Sequence, residues 1–357
     1  MCATGEKVKV GIIGVAGIAG AHYRGYDSPE GKEIGEIYAM CDVNEKALSA
    51  TAEQKGVPPE RCFTDLGKML ALDELDAVDV CTPNQFHHPQ TVAAARAGKH
   101  VLVEKPMAVS GALAQEMVDE CEKAGVILQV GCNRHFEPAH EAIKRFIDAG
   151  EFGEIYHARA CYPRRRGIPG GSFIRKETAG LGALADIGVH ALDLVLWLCG
   201  YPKPTVASGV ALTKIGTRPG YVNLTSWAQP FAPEDMDVEE FAAALIRFET
   251  GLQVILEVSW AANIDTFGPS YILGTDAGCT LGPYRIFTER HGTAITIDPQ
   301  TPEKVSSHGR EVVAFMRAIR GEGPNLVPGS DVVVTSHVFD AIYESTKTGR
   351  EVKVKTR

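Results

Sequence analysis

The chain reads as an α/β protein: a doubly wound parallel sheet in its N-terminal part, followed by an α+β domain on a mostly antiparallel sheet. Three observations predict this. Up to residue 132, short aliphatic runs bounded by Gly, Pro or Asp alternate with helical stretches, which is the pattern of βαβ units. From residue 133, strand-like runs follow one another through short turns such as Glu249-Thr250-Gly251, and such turns join antiparallel neighbours. The 357 residues also exceed one ordinary core, so two domains, 1–132 and 133–357, are expected.

The first strand runs from Val8 to Ile13 and ends in Gly14-Val15-Ala16-Gly17-Ile18-Ala19-Gly20. A strand, a glycine turn and a helix start, in that order, is the context a dinucleotide fingerprint requires, although an ordinary strand–helix turn looks similar. Gly14 permits the tight turn, and the amides at Gly17, Ile18 and Ala19 can hold a pyrophosphate at the helix start. Ala16 stands where the common motif has glycine and crowds the backbone approach to the phosphates. The next strand, Ile37 to Cys41, ends in Asp42 a little over twenty residues later. An acid there suits the ribose hydroxyls of NAD and repels the extra phosphate of NADP. It could equally cap the helical stretch that opens at Val43-Asn44-Glu45.

Cys62 to Asp65 reads as a short strand and cap, Leu66 to Leu72 as a helix, and Ala77 to Cys81 as a buried strand closed by Thr82-Pro83-Asn84. His87 and His88 follow, one a candidate cofactor contact and the other a surface residue. After the Ala-rich helix Gln90 to Ala97 comes His100-Val101-Leu102-Val103-Glu104-Lys105-Pro106. Three aliphatic residues bounded by a turn and a proline form a fully buried parallel strand. Such strands present their carboxyl ends to the ligand crevice, so Lys105 is delivered to the mouth of the sheet. Helix Gly111 to Ala124 and strand Ile127 to Val130 complete the first domain, and Gly131-Cys132-Asn133-Arg134 marks the boundary.

Beyond a helix from Pro138 to Ala149, strands are expected at Glu154 to Tyr162, Thr205 to Leu212, Val238 to Phe248, Leu252 to Ala261, Ser270 to Gly274, Arg285 to Glu289 and Ala294 to Asp298. One helix interrupts them, Ala183 to Leu198, and two follow, Gly309 to Ile319 and Asp331 to Lys347, before the tail Glu351 to Val354. The interrupting helix carries Asp186, His190 and Asp193 among Leu184, Ile187, Val189, Leu192 and Leu194. Spacings of four and three put the polar groups on one face of an otherwise buried helix. Buried polar groups must be satisfied or used. A histidine with a carboxylate one turn away suits general acid–base work; a core histidine and a zinc or manganese ligand are the other readings, and no further clustered ligands are visible. Arg166, in the run Arg164-Arg165-Arg166, and Arg175 or Lys176 either line a substrate mouth or belong to a solvated loop.

Composition narrows the classes further. A net charge of −9 leaves no broad basic face for nucleic acid. The apolar runs are strand-length, short of the roughly 20 residues of a membrane helix, and Met1 to Lys9 has no apolar signal region. Nine scattered cysteines without a C-x-x-C pair argue against a zinc ribbon or disulfide framework and for a reducing, cytoplasmic setting.

Taken together, these pieces resemble the glucose–fructose oxidoreductase/inositol dehydrogenase/rhizopine catabolism (Gfo/Idh/MocA) family along nearly the whole chain. The resemblance rests on Val10-Gly11-Ile12-Ile13-Gly14, Thr82-Pro83-Asn84 with His87, Gly98-Lys99-His100-Val101 leading to Glu104-Lys105-Pro106, Asp186-Ile187-Gly188-Val189-His190 with Asp193, and Gly349-Arg350-Glu351-Val352. It implies a Rossmann domain binding NAD, and a C-terminal domain whose large open sheet makes a homodimer or homotetramer interface. It also implies oxidation of a secondary alcohol on a sugar, glycoside or cyclitol. Carried across, Lys105 hydrogen-bonds the reacting oxygen, His190 is the acid–base, and Asp186 positions substrate or histidine. Thr82, Pro83, Asn84, His87 and Glu104 would join the cofactor site, and Arg134 and Arg166 the substrate site, with no metal. The lysine–proline peptide is often cis in the family. Two rival classes use the same residues: a redox-neutral enzyme holding NAD tightly, for epimerisation or elimination, and a non-catalytic sugar-sensing regulator. Net NADH release separates the first, and the intact Lys105 and His190 speak against the second.

Overall fold

The structure, a computed structural model, describes residues 6–301 and 305–356. Two compact units are present: one holds 6–108, 112–136 and 305–333, the other 109–111, 137–301 and 334–356. The single division expected at residue 132 does not capture this return of the chain. It arises because helix Ser307–Ile319 is amphipathic, and its Val312, Phe315, Met316 and Ile319 share a core with Val8, Val10 and Ile12.

In the first unit the strands are β1 (Val8–Ile13), β2 (Gly35–Cys41), β3 (Cys62–Phe63), β4 (Ala77–Val80), β5 (His100–Glu104) and β6 (Leu128–Gly131). They form one parallel sheet in the order β3-β2-β1-β4-β5-β6. β4 is buried along its whole length and β5 at four of its five residues, as expected of central strands covered on both faces. Strand order reverses between β1 and β4, so the loops leaving these two strands diverge and open a crevice at their carboxyl ends. Gly14 follows β1 and Thr82 closely follows β4, so the two sequence motifs meet at that switch point.

The second unit is built on a nine-stranded sheet. Its strands are β7 (Ile155–Pro163), β8 (Pro204–Leu212), β9 (Phe241–Phe248), β10 (Gln253–Ser259), β11 (Tyr271–Gly274), β12 (Ala277–Leu281), β13 (Tyr284–Arg290), β14 (Thr293–Ile297) and β15 (Val352–Lys353). The order is β14-β13-β12-β11-β7-β10-β9-β8-β15, with β7 and β10 parallel and every other pair antiparallel. Alternate residues such as Ala242, Ala244 and Ile246 face a core shared with Leu192, Val195 and Leu196 of helix Gly188–Leu198. The opposite face leaves Tyr156, Val210 and Phe287 exposed.

Two sequence expectations change here. β12 has the composition Ala-Gly-Cys-Thr-Leu and carries little intrinsic strand signal; it forms because β11 and β13 pair with it on both sides. The helix expected from Ala183 to Leu198 is two helices, Ala183–Asp186 and Gly188–Leu198, broken at Ile187. Glycine is a weak helix former, and Gly188 packs where a Cβ would lie 3.3 Å from Leu184 and 3.5 Å from Val258. The break favours close approach to the sheet over helical continuity.

Candidate active site

The glycine turn follows β1. Gly14 has φ +84°, and a Cβ there would lie 3.0 Å from the Cys81 carbonyl, so only glycine fits. Gly17 has φ +61° and open space where a Cβ would stand. Ala16 is exposed and is not among the residues with positive φ, so its methyl group sits without backbone strain. The amides of Ala16, Gly17 and Ile18 have no partner among the described residues, ahead of a helix that starts at Ala19. Unpaired amides at a helix N-terminus fit an anionic group such as a pyrophosphate.

Asp42 lies beside this turn. Its Oδ2 accepts from the Val15 amide at 3.0 Å and its Oδ1 from the Asn44 amide at 2.8 Å. The helix cap is Asn44, whose side chain accepts from Ala47, so the capping role open to Asp42 passes to its neighbour. Thr82, Pro83 and Asn84 leave β4 on the other side of the switch point, and Thr82 Oγ1 donates to Gln90 at 2.6 Å. His87 is buried, its Nδ1 2.8 Å from the Pro106 carbonyl and its Nε2 2.7 Å from that of Thr82. Burial lowers its pKa against the pull of these carbonyls. The ring braces the Thr82 loop against the peptide after Pro106. His88 pairs with Glu116 at 2.9 Å on the surface, as expected.

β5 delivers Glu104 and Lys105, and the Lys105–Pro106 peptide is cis. Lys105 is half-buried, and its amide donates to Glu104 Oε2 at 3.0 Å. Glu104 itself is buried and turned inward: its Oε1 is 2.9 Å from His22 Nε2. Burial pushes the Glu104 carboxyl up, but the His22 hydrogen bond and charge, then Lys105, outweigh it and hold it below the ordinary range. Arg134 belongs to the short helix Asn133–Phe136 of this unit.

In the second unit, Asp186 ends the helix Ala183–Asp186 and His190 sits one turn into the next. The continuous helical face expected for Asp186, His190 and Asp193 is therefore interrupted. Asp186 is buried and its Oδ2 accepts from the indole of the fully buried Trp260 at 2.9 Å. Asp193 accepts from the Tyr201 hydroxyl at 2.6 Å. His190 is half-buried, its ring 6.5 Å from that of Tyr162. Arg166 places Nη2 2.5 Å from Asn263 Oδ1 and its guanidinium 5.6 Å from the Tyr221 ring. Arg175 is engaged with Asp235 at 2.6 Å.

Three supporting residues are absent from the sequence-based expectations: Glu239, Trp260 and His22. The strand expected from Val238 starts at Phe241, and Glu239 is buried with its carboxylate accepting from Gly182 and Leu184 amides at 3.1 and 2.9 Å. It anchors the turn that launches Ala183–Asp186. Trp260 fixes Asp186, and His22 fixes Glu104. His22 carries a usable signal: it falls with Ala19, Tyr23 and Tyr26 on the i, i+3, i+4, i+7 stripe that a helix buries. The eight described cysteines form no disulfide, and burial pushes Cys121, Cys199 and Cys279 to about 12.

A parallel sheet in this order, with unpaired amides in a glycine turn at its switch point, defines a dinucleotide-binding protein, and the lysine at the end of β5 adds a functional group to that crevice. Residues 8–132 match the oxidoreductase family with an NAD-binding Rossmann fold, and residues 140–279 match the GFO/IDH/MocA C-terminal domain. The chain belongs to the GFO/IDH/MocA oxidoreductase family. It is 30% identical to D-glucoside 3-dehydrogenase of Escherichia coli (strain K12) over 98% of this chain and 99% of that protein. It is also 30% identical to an NADP-dependent D-xylose 1-dehydrogenase of Haloferax volcanii, over 96% and 99%. Among solved structures, levoglucosan dehydrogenase in complex with NADH superposes with a TM-score of 0.83, at 23% identity, over 99% of this chain and 100% of that one. That last likeness concerns the fold alone. No single described helix is long and apolar enough to cross a membrane.

Proposed function

We propose that the protein is an NAD-dependent dehydrogenase that oxidises a secondary hydroxyl of a sugar, glycoside or cyclitol to a ketone, with NADP the less favoured cofactor. One observation carries the reading: the family's two reactive side chains, Lys105 and His190, are both present, each at the end or start of a buried element that fixes it. When bound, NAD supplies the hydride acceptor. Ala16, Gly17 and Ile18 hold its pyrophosphate, while Gly14 makes the turn and Ala19, whose amide goes to the Ala16 carbonyl, opens the helix instead of contacting phosphate as expected. Asp42 holds its ribose, and Thr82, Pro83 and Asn84 flank the crevice, with His87 and Glu104 supporting Lys105 from behind. Lys105 donates to the reacting oxygen and stabilises the alkoxide as charge develops. His190 accepts the hydroxyl proton, and Asp186, oriented by Trp260, positions substrate or histidine. Arg134 and Arg166 contribute to substrate binding. The exposed sheet face bearing Tyr156, Val210 and Phe287 pairs copies of the chain into a homodimer or homotetramer, and the enzyme works in the cytoplasm.

The test is NADH absorbance with NAD and a panel of sugars, glycosides and cyclitols. A steady rise with one polyol is the expected result. Substrate consumption without NADH release, with NAD copurifying, would replace this reading by the redox-neutral one; binding of sugar without turnover would replace it by a sensor. The Asp42→Ala variant should bring NADP turnover up relative to NAD by on the order of tenfold. Faster NADP than NAD turnover in the unaltered protein would overturn the role of Asp42.

A further inference from the structure

We propose that His22 is a positioning residue for Lys105, acting through Glu104 where the dinucleotide-binding helix meets the end of β5. The proposal rests on the reading of Lys105 above and extends it to a side chain outside that reading.

His22 lies in the first turns of helix Ala19–Tyr26 and is fully buried. The neighbouring Ala19, Tyr23 and Tyr26 of its helix belong to an apolar core with Val10, Ile12, Leu102, Val312, Phe315 and Met316. His22 Nδ1 lies 3.0 and 2.9 Å from the two Asp79 oxygens, and Nε2 lies 2.9 Å from Glu104 Oε1. Asp79 is fixed in turn by the Tyr26 hydroxyl at 3.0 Å and the Cys81 thiol at 3.4 Å. Glu104 Oε2 takes the Lys105 amide at 3.0 Å. The chain of contacts runs Asp79–His22–Glu104–Lys105 without a gap.

A neutral imidazole has one N–H and one lone pair, and a lone pair aimed at a carboxylate repels it. Both nitrogens then carry protons unless one of the two carboxyls is itself protonated, and the His22 contact that holds the Glu104 carboxyl low favours the first arrangement. Burial opposes the charge, yet Asp79 and then Cys81 hold the ring well above its ordinary pKa. The other titratable groups facing it are Glu104, Glu311, Tyr26 and His308, whose ring centroid is 6.0 Å away. A buried ionic triad is poor at stabilising a fold compared with apolar residues of similar volume. What it does that apolar side chains cannot is hold the Glu104 carboxylate in one orientation, and so fix the backbone from which the Lys105 amine departs. The same helix presents the Ile18 amide one turn earlier, so cofactor turn and lysine share one rigid support.

The test compares His22→Gln, Glu104→Gln and the double variant with the unaltered protein, well below the lowest unfolding temperature. Because supporting residues of this kind typically matter by about 10–100-fold, kcat should fall by that factor in each single variant, with KM and NADH affinity by fluorescence changed by less than about threefold. The double variant should lose no more than the worse single one, since both act through one contact. Independently of turnover, acylation of Lys105 followed by mass spectrometry should change in rate by several-fold in both variants, and 15N resonances absent from His22→Gln should report a charged ring at pH 7. Unchanged kcat and labelling, losses that track NADH affinity and stability together, or a neutral ring would each overturn the proposal. Should His22→Gln not fold, the isosteric Glu104→Gln carries the test. A Lys105→Ala variant that keeps full kcat would refute the reading of Lys105 itself; if it collapses while His22→Gln does not, only the positioning role fails.

Discussion

Each unit supports a proposed catalytic element with a buried glutamate, Glu104 in the first and Glu239 in the second, and the two are treated in opposite ways. Glu104 supports Lys105 with an imidazole at 2.9 Å, and its carboxyl is held below the ordinary range despite burial. Glu239 supports the turn before Asp186 with the backbone amides of Gly182 and Leu184, and burial pushes its carboxyl up. Amide donors satisfy hydrogen-bonding capacity without neutralising charge, whereas a nearby cation offsets the desolvation of the ion. The same side chain at the same depth thus acquires opposite titration behaviour from its partners. The first unit uses an ion-paired lock and the second a mostly dipolar one.

The sharpest test of this contrast is to remove the residue that each lock serves. Lys105→Ala and His190→Ala should each lower kcat by about 10²–10⁴-fold with the fold retained; a loss in only one would mean that only one unit carries chemistry. Next in size is Trp260→Phe, which strands the buried Asp186 oxygen without its indole donor. It should destabilise the second unit by about 1–3 kcal/mol in a denaturant titration. A much smaller loss would show that water replaces the indole.

The titration contrast can be read in stability. Because folding lowers the Glu104 pKa, its contribution is present above the unfolded value and is lost as pH falls through the folded one. Folding raises that of Glu239, so its contribution is present below the unfolded value and is lost as pH rises through the folded one. Relative to Glu239→Gln, the unaltered protein should therefore gain stability as pH falls toward the ordinary glutamate value; relative to Glu104→Gln it should lose stability only below that value. Equal pH slopes for both pairs of proteins would remove the contrast. The smallest effect is expected at His88→Ala, where an exposed pair with Glu116 should matter by less than about 0.5 kcal/mol and leave turnover unaltered.

Legibility divides along similar lines. Lys105 and the Gly14 turn are legible because their local sequence carries their role, in one case an aliphatic strand cut by proline, in the other a strand, glycine and helix start in order. His190 is legible by type and spacing, but the spacing argument needs a helix that in fact breaks at Ile187. His22 is legible only as a buried position of its helix and Glu239 not at all, because the partners of both are distant in sequence. His22 meets partners 57 and 82 residues away, and Glu239 holds amides 57 and 55 residues away. Asp79, in the middle of the buried strand Ala-Val-Asp-Val, is the one local hint that a cationic partner must exist.

Short-range chemistry is enough to establish two sheets of opposite grammar, the crevice motif and the family, because alternation, glycine turns and proline stops act over a few residues. The sharing of the C-terminal helix Ser307–Ile319 with the first core, the pairing of β12, the break before Gly188 and the ionic triad behind Lys105 emerge only with folding. Each of these is decided by which distant surfaces come into contact. Periodicity reports the face a residue presents; the burial of that face against a particular partner is what sets its charge, its orientation and its use.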